Sequence, residues 1–257
     1  MQKLTTCCLL IISLFFFAQM ATAETVEEFI ASGDAANKAF DHQSALKFFQ
    51  KAHQLDPANC EALWKMSRAH VDIGEKADKD LQRQHYYMAE KIARQAVAQC
   101  ETVADAHLAL SIAVGRVALM EGGKKKVELS KEVKTEAEKT LELDASNDLA
   151  YHVLGRWHRE VATLSGILKA FAKILYGGLP DASLEKAVQY FSKAIEIKPD
   201  YINHHLELGI TYEDMKEWQQ AKQEYEKVAE LPGTESDDQD HKATAAERMK
   251  DVLKKLK

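Results

Sequence analysis

Six residues near the start of the chain constrain its fold more than any bulk property: Phe29, Gly33, Ala45, Phe49, Ala52 and Pro57. With Gly33 counted as place 8 of a unit, the others fall at places 4, 20, 24, 27 and 32. A small residue at place 8 lets one helix approach its partner at Ala45, and Phe49 fills the space between units. Pro57, which cannot continue a helix, ends the second one.

The phrase recurs. Leu208, Gly209, Tyr212, Ala221 and Tyr225 take places 7, 8, 11, 20 and 24 of a last unit, with Pro232 one place early. Tyr151, Leu154 and Gly155 open the unit before it, but Ala187, Phe191, Ala194 and Pro199 arrive about 20 residues late, so an insertion separates its helices. Two stretched units lie between: Leu63, Met66 and Ser67 with Ala89, Ala93 and Ala96, then His107, Leu110 and Ser111 with Ala137 and Ala145. Each is about ten residues too long, the extra falling between its helices, as loops around 74–80 and 122–126. This spacing resembles the tetratricopeptide repeat. The resemblance implies an all-α, right-handed superhelix of about five helix pairs, residues 24–232, with an apolar insertion at 161–180. An acidic, mobile linker at 233–241 and a capping helix at 242–257 follow, the helix carrying Ala245, Met249, Val252, Leu253 and Leu256 on one side. Four prolines and 11 glycines in 257 residues suit long helices, and 29% charged residues exclude an integral membrane protein.

The first 23 residues differ in kind. Lys3, the apolar run Leu9 to Ala18 and the small-residue site Ala21-Thr22-Ala23 read as a secretory signal. The alternative is an uncleaved anchor, because Leu4 to Ala23 carries no charge. The expected location is secreted or periplasmic, or membrane-anchored on the second reading. A net charge of −6 argues against nucleic acid as a partner.

A longer phrase is more specific than the repeat. Tyr151-His152-Val153-Leu154-Gly155-Arg156-Trp157-His158-Arg159-Glu160-Val161-Ala162, then an apolar insertion and Tyr176-Gly177-Gly178-Leu179-Pro180-Asp181-Ala182-Ser183, resembles the regulator of microtubule dynamics family. The likeness extends over about residues 58–257, including Ala62-Leu63-Trp64 and Tyr86-Tyr87-Met88-Ala89-Glu90. It implies a helical-repeat protein linked to microtubules, with phospholipid binding by one mammalian member. An export signal is at odds with a microtubule role, since an exported domain does not meet tubulin.

The sequence holds no His-Glu-x-x-His, Cys-x-x-Cys or Gly-x-Ser-x-Gly, and no catalytic residue is assigned. Gly122-Gly123-Lys124 lacks the first glycine of a phosphate loop, that place being Ala118. His152, His158, His204 and His205 are the densest histidine group, but none of them are paired at i, i+4, and no metal or cofactor is expected. Cys60 and Cys100 fall at the same end of one antiparallel pair and are a candidate disulfide, or else two small buried apolar groups.

In proteins the chain resembles, places 2, 5, 9, 12 and 13 of each first helix line a concave groove. Here they give Trp64 and Arg68, then Leu108, Ile112 and Arg116, then Leu149, His152, Arg156 and Arg159, then Leu206 and Ile210. Four arginines among apolar side chains suit an amphipathic anion, a peptide C-terminus or a phospholipid. The competing reading pairs them with Glu61, Asp72, Glu160 or Asp105 as structural salt bridges. The apolar stripe between Val161 and Leu175 calls for cover, in the groove by preference or against a bilayer surface. The expected function is a non-enzymatic scaffold holding a peptide or protein partner, with a phospholipid or fatty-acid carrier as the alternative.

Overall fold

The computed structural model describes residues 24–177 and 181–257; the signal-like segment lies outside the described residues. Twelve α-helices run through them in chain order. The first pair is α1 (Val26–Lys38) and α2 (His42–Leu55), followed by α3 (Cys60–Lys76) with α4 (Lys79–Gln99) and α5 (Ala104–Met120) with α6 (Gly123–Leu143). In the fourth pair α7 (Asp148–Ala162) packs against α9 (Leu184–Ile197), with α8 (Gly166–Tyr176) between them in sequence. The fifth pair is α10 (Ile202–Asp214) and α11 (Trp218–Glu230), and α12 (Asp238–Lys255) closes the stack. The five pairs and the capping helix are those expected.

Side chains set the helix starts. Thr25 and Glu28 form a reciprocal capping box, and Asn59 and Asn147 accept from the backbone N–H of Ala62 and Ala150 at 2.9 and 3.0 Å. Within pairs, place 8 decides how closely the helices approach. A Cβ on Gly209 would lie 2.5 Å from Tyr225 Cε1, and one on Gly155 2.8 Å from Phe191 Cε1; Gly33 meets Phe49 in the same way. The two stretched pairs use different chemistry. Ser67 Oγ donates to the Ala89 carbonyl at 2.9 Å and Ser111 Oγ to the Val133 carbonyl at 2.7 Å. There the ring is replaced by Ala93 and Ala137, both fully buried.

The extra residues of the stretched pairs are helical, where the sequence suggested loops. α3 and α5 have 17 residues and α4 and α6 have 21, against 13 or 14 in α1, α2, α10 and α11. Helix elongation costs little once a turn exists, and the added turns bury Val71, Val117 and Leu129 in the largest apolar cluster.

Two further expectations are corrected. The run 161–175 is not one helix packed across the concave face. Val161 is buried at the end of α7, the chain turns at 163–165, and Lys169 Nζ donates to the Ala162 carbonyl at 2.7 Å. Beyond that bond, α8 packs against α6 alone among the described helices, and Ile174 is 82% exposed. Nor is 233–241 a free linker. α12 starts at Asp238, four residues early, and the Asp238 carboxylate accepts from the backbone N–H of Thr234 and Glu235 at 2.6 and 2.7 Å. This segment reaches the start of the chain: Ser236 Oγ lies 3.4 Å from His42 Nε2, and Lys76 Nζ donates to Asp240 at 2.9 Å.

Cys60 and Cys100 are joined by a disulfide, with Cα atoms 6.0 Å apart and 40 residues between them in sequence. Two stability effects follow. Closing a loop of that length is worth about 4 kcal/mol by chain entropy, so the Cys60→Ala/Cys100→Ala variant is expected to unfold at markedly lower denaturant. Gly155→Ala, which drives a methyl into Phe191, is expected to cost about 1–3 kcal/mol in the same assay, partly recovered when Phe191→Leu is added.

Candidate functional site

A cavity of about 280 Å³ opens on the concave face. Helices α3, α5 and α7 supply its walls, and the added turns of the stretched pairs bring Val71, Asp72, Glu75, Ala118 and Leu119 to it. Tyr201 and residues 235–237 line it from the C-terminal side. Six groove residues expected from the repeat register are there: Arg68, Ile112, Arg116, Leu149, His152 and Arg156.

Five are not. Trp64 lines a neighbouring depression with Asp34, Phe49 and Arg68. Leu108, at 4% exposed, is in the core. Leu206 and Ile210 are sealed under α12, in the cluster that holds Ala245 and Val252. Arg159 is buried, and its guanidinium donates to Glu207 at 2.5 Å. A repeat register assigns the concave face of an open stack, and here the closing helix takes the last unit's share of it.

The arginines divide accordingly. Arg156 Nε lies 3.4 Å from Glu207, on the carboxylate that also holds Arg159, and Arg116 donates to Glu75. Of the acids set against the arginines at the outset, only Glu160 is ion-paired with one of them, 3.5 Å from Arg159; Glu61 pairs with Lys65 instead, and the arginines' principal partners are Glu75 and Glu207. Arg68 stands apart, with no ion pair among the described residues and its Nε buried without a hydrogen-bond partner. The Arg116 Nε is likewise unpartnered. Leaving a charged donor unsatisfied is costly, so these two atoms mark where a ligand oxygen gains most. Burial pushes the Asp72 and Glu75 carboxyls up, opposed by Arg68 and Arg116 respectively. Part of the lining, Val153, Trp157, Val161 and Ala118, is apolar.

Histidines brace the site without matching a ligand set. His152 Nδ1 lies 2.9 Å from His204 Nδ1, and His204 Nε2 lies 3.0 Å from Asp148. Away from the cavity His107 and His205, both at place 4, repeat one arrangement: a second-helix glutamate on one ring nitrogen, Glu136 or Glu224, and a turn carbonyl on the other. The only group of three described side chains spaced as metal ligands is Asp237, Asp238 and His241, within 4.8 Å of one another. Asp238 is already engaged there as a backbone cap.

The family model for regulator of microtubule dynamics protein 1-3 matches residues 29–257. The chain belongs to the regulator of microtubule dynamics family. Mouse regulator of microtubule dynamics protein 1 is 30% identical over 196 residues, covering 75% of this chain and 63% of the mouse protein. Human regulator of microtubule dynamics protein 2 is 26% identical over 199 residues, 77% of this chain and 48% of the human one. The chain thus matches about half to two thirds of the length of these relatives. Among solved structures, a thermophilic TPR protein of Thermus thermophilus superposes with a TM-score of 0.64 at 15% identity, over 86% of this chain and 99% of its own, which establishes the fold alone.

In this family member the phrase that carried the resemblance is a junction. Leu154 is fully buried, Gly155 meets Phe191, Arg156 faces the cavity, and Trp157 Nε1 donates to the Ser130 carbonyl at 2.7 Å. Burial, then His204 and Arg156, hold the His152 imidazole well below its ordinary range. A histidine kept neutral in the folded state contributes stability at neutral pH that is lost as the pH falls below the unfolded value near 6.5, where only the unfolded chain takes up the proton. The wild-type protein is therefore expected to lose stability relative to His152→Gln as pH is lowered from 7 to 5. Thermal unfolding of both across that window measures the difference.

Proposed function

We propose that the protein is a non-enzymatic scaffold that binds a peptide or protein partner through the concave cavity, with a ligand carboxylate at Arg68. The buried, unpartnered Nε of Arg68 beside an apolar wall is the observation that carries this reading. A planar guanidinium with free donors matches a carboxylate fork, and the side chains preceding a peptide C-terminus would lie against Val153, Trp157 and Val161. The cavity volume suits the last few residues of a chain rather than a whole helix. Arg116 and Arg156 are held by Glu75 and Glu207, which leaves Arg68 to meet a ligand.

A phospholipid or fatty acid is the second reading, supported by the same apolar wall ending at Leu119, which is 52% exposed at the rim. A microtubule-associated role, as the names of the relatives suggest, is the reading for a chain that is not exported. Export itself is our proposal for location: the N-terminal sequence has the signal pattern, and the Cys60–Cys100 bond suits an oxidising compartment.

Peptides with a free C-terminus are expected to bind about tenfold more tightly than their amidated forms, a difference that Arg68→Gln abolishes. Fluorescence anisotropy with a random-sequence C-terminal library provides the measurement. Equal binding of free and amidated forms would remove the carboxylate reading, and co-purifying lipid seen by native mass spectrometry and lost in Arg68→Gln would favour the second.

A further inference from the structure

A second cleft, of about 570 Å³, lies between α6, α7 and α9, away from the concave cavity. Its floor is aromatic. The His158 ring stacks on Tyr190 with centroids 5.2 Å apart and planes at 17°, Tyr151 lies 6.2 Å beyond Tyr190, and Trp157 meets His158 edge-on at 5.0 Å. Its charged rim has three cations, Lys134, Lys186 and Lys193, and two acids, Glu138 and Asp181.

The unusual member is His158. It is only 2% exposed, its Nδ1 is buried without a hydrogen-bond partner, and the ring makes no hydrogen bond with any described residue. The equivalent place 11 of the last unit carries Tyr212, so the repeat itself does not call for an imidazole here. Burying a polar ring unsatisfied is costly, and such a group in a cleft marks a missing partner. Of the surrounding cations, Lys134 is held by Glu138 at 2.5 Å and Lys193 by Glu196 at 2.8 Å. Lys186 has no ion pair with a described residue. The rim contains lysines and no arginine, whereas the concave cavity uses arginine. An ammonium binds phosphate as a point charge, and a doubly charged phosphoryl group gains more from a cluster of lysines than a singly charged carboxylate does.

We infer that this cleft is a second ligand site, distinct from the concave cavity, and that it takes a phosphate monoester, the phosphoryl group at Lys186 and His158 and any flat organic portion against Tyr190 and Tyr151. Burial, with Lys186 and Lys134, lowers the His158 imidazole to about 4, so the ring enters the site neutral. A bound dianion reverses the sign of the local field and must raise that value.

The test is titration of the full chain with phenyl phosphate, inorganic phosphate and benzoate, followed by NMR of the histidine ring protons. Phenyl phosphate is expected to bind saturably and inorganic phosphate more weakly, both raising the His158 titration point, with benzoate giving no saturable shift. Lys186→Gln, an exposed change that leaves the fold intact, is expected to weaken phenyl phosphate about tenfold. Lys47→Gln, an exposed change on α2 outside both cavities, is expected to leave it unchanged. Absence of saturable shifts at His158, equal response to benzoate, or equal loss in both lysine variants would each overturn the assignment. A preference for inorganic phosphate over phenyl phosphate would overturn the aromatic part of it.

Discussion

The contact at place 8 of each first helix governs everything built above it. In three pairs glycine meets the edge of an aromatic ring, and in two a serine hydroxyl meets a partner-helix carbonyl. Both solutions let two backbones approach closely, one by having no side chain to obstruct a ring and the other by using a short one as a hydrogen-bonded spacer. The choice is coupled to the second helix: Phe49, Phe191 and Tyr225 accompany glycine, Ala93 and Ala137 accompany serine. Neither half can be exchanged alone without a clash or a void, so pair spacing is fixed by two residues acting together.

That spacing positions the cavity. The serine pairs are also the ones with added helical turns, and those turns place Asp72, Glu75 and Arg116 together. Charges drawn from distant parts of the sequence then compensate one another: Arg116 with Glu75, Arg156 and Arg159 with Glu207. Arg68 is left over: Asp72 beside it lies against His42 and makes no ion pair with Arg68, and burial pushes the Asp72 carboxyl up. The site's polarity is therefore a residue of the pairing scheme, with an unpaired cation and an apolar surface in one lining.

Much of this was legible in the sequence. The glycine and aromatic spacing carried the helix count, and six residues of the expected groove, Arg68, Ile112, Arg116, Leu149, His152 and Arg156, line the cavity. What escaped it has physical causes. Ten extra residues between two helix signatures read equally as loop or as added turns, because Gly74 and Gly123 look like punctuation; Gly74 is instead a buried close contact with Tyr86. Leu206, Ile210 and Arg159 were misplaced because a local register cannot show that a later helix folds back over them. The acidic stretch before α12 looked mobile for the same reason: Asp238 gains its order by capping Thr234 and Glu235, and Asp240 by reaching Lys76, 164 residues away.

That last contact changes the mechanics of the molecule. A linear stack of helix pairs transmits force and stability only from neighbour to neighbour, so its two ends loosen independently. Here Ser236, just before the final helix, and Asp240 within it contact His42 and Lys76 in the first two pairs. The solenoid becomes a closed clasp. Widening the concave face stretches that junction, which is made of two exposed side-chain contacts and so resists only weakly.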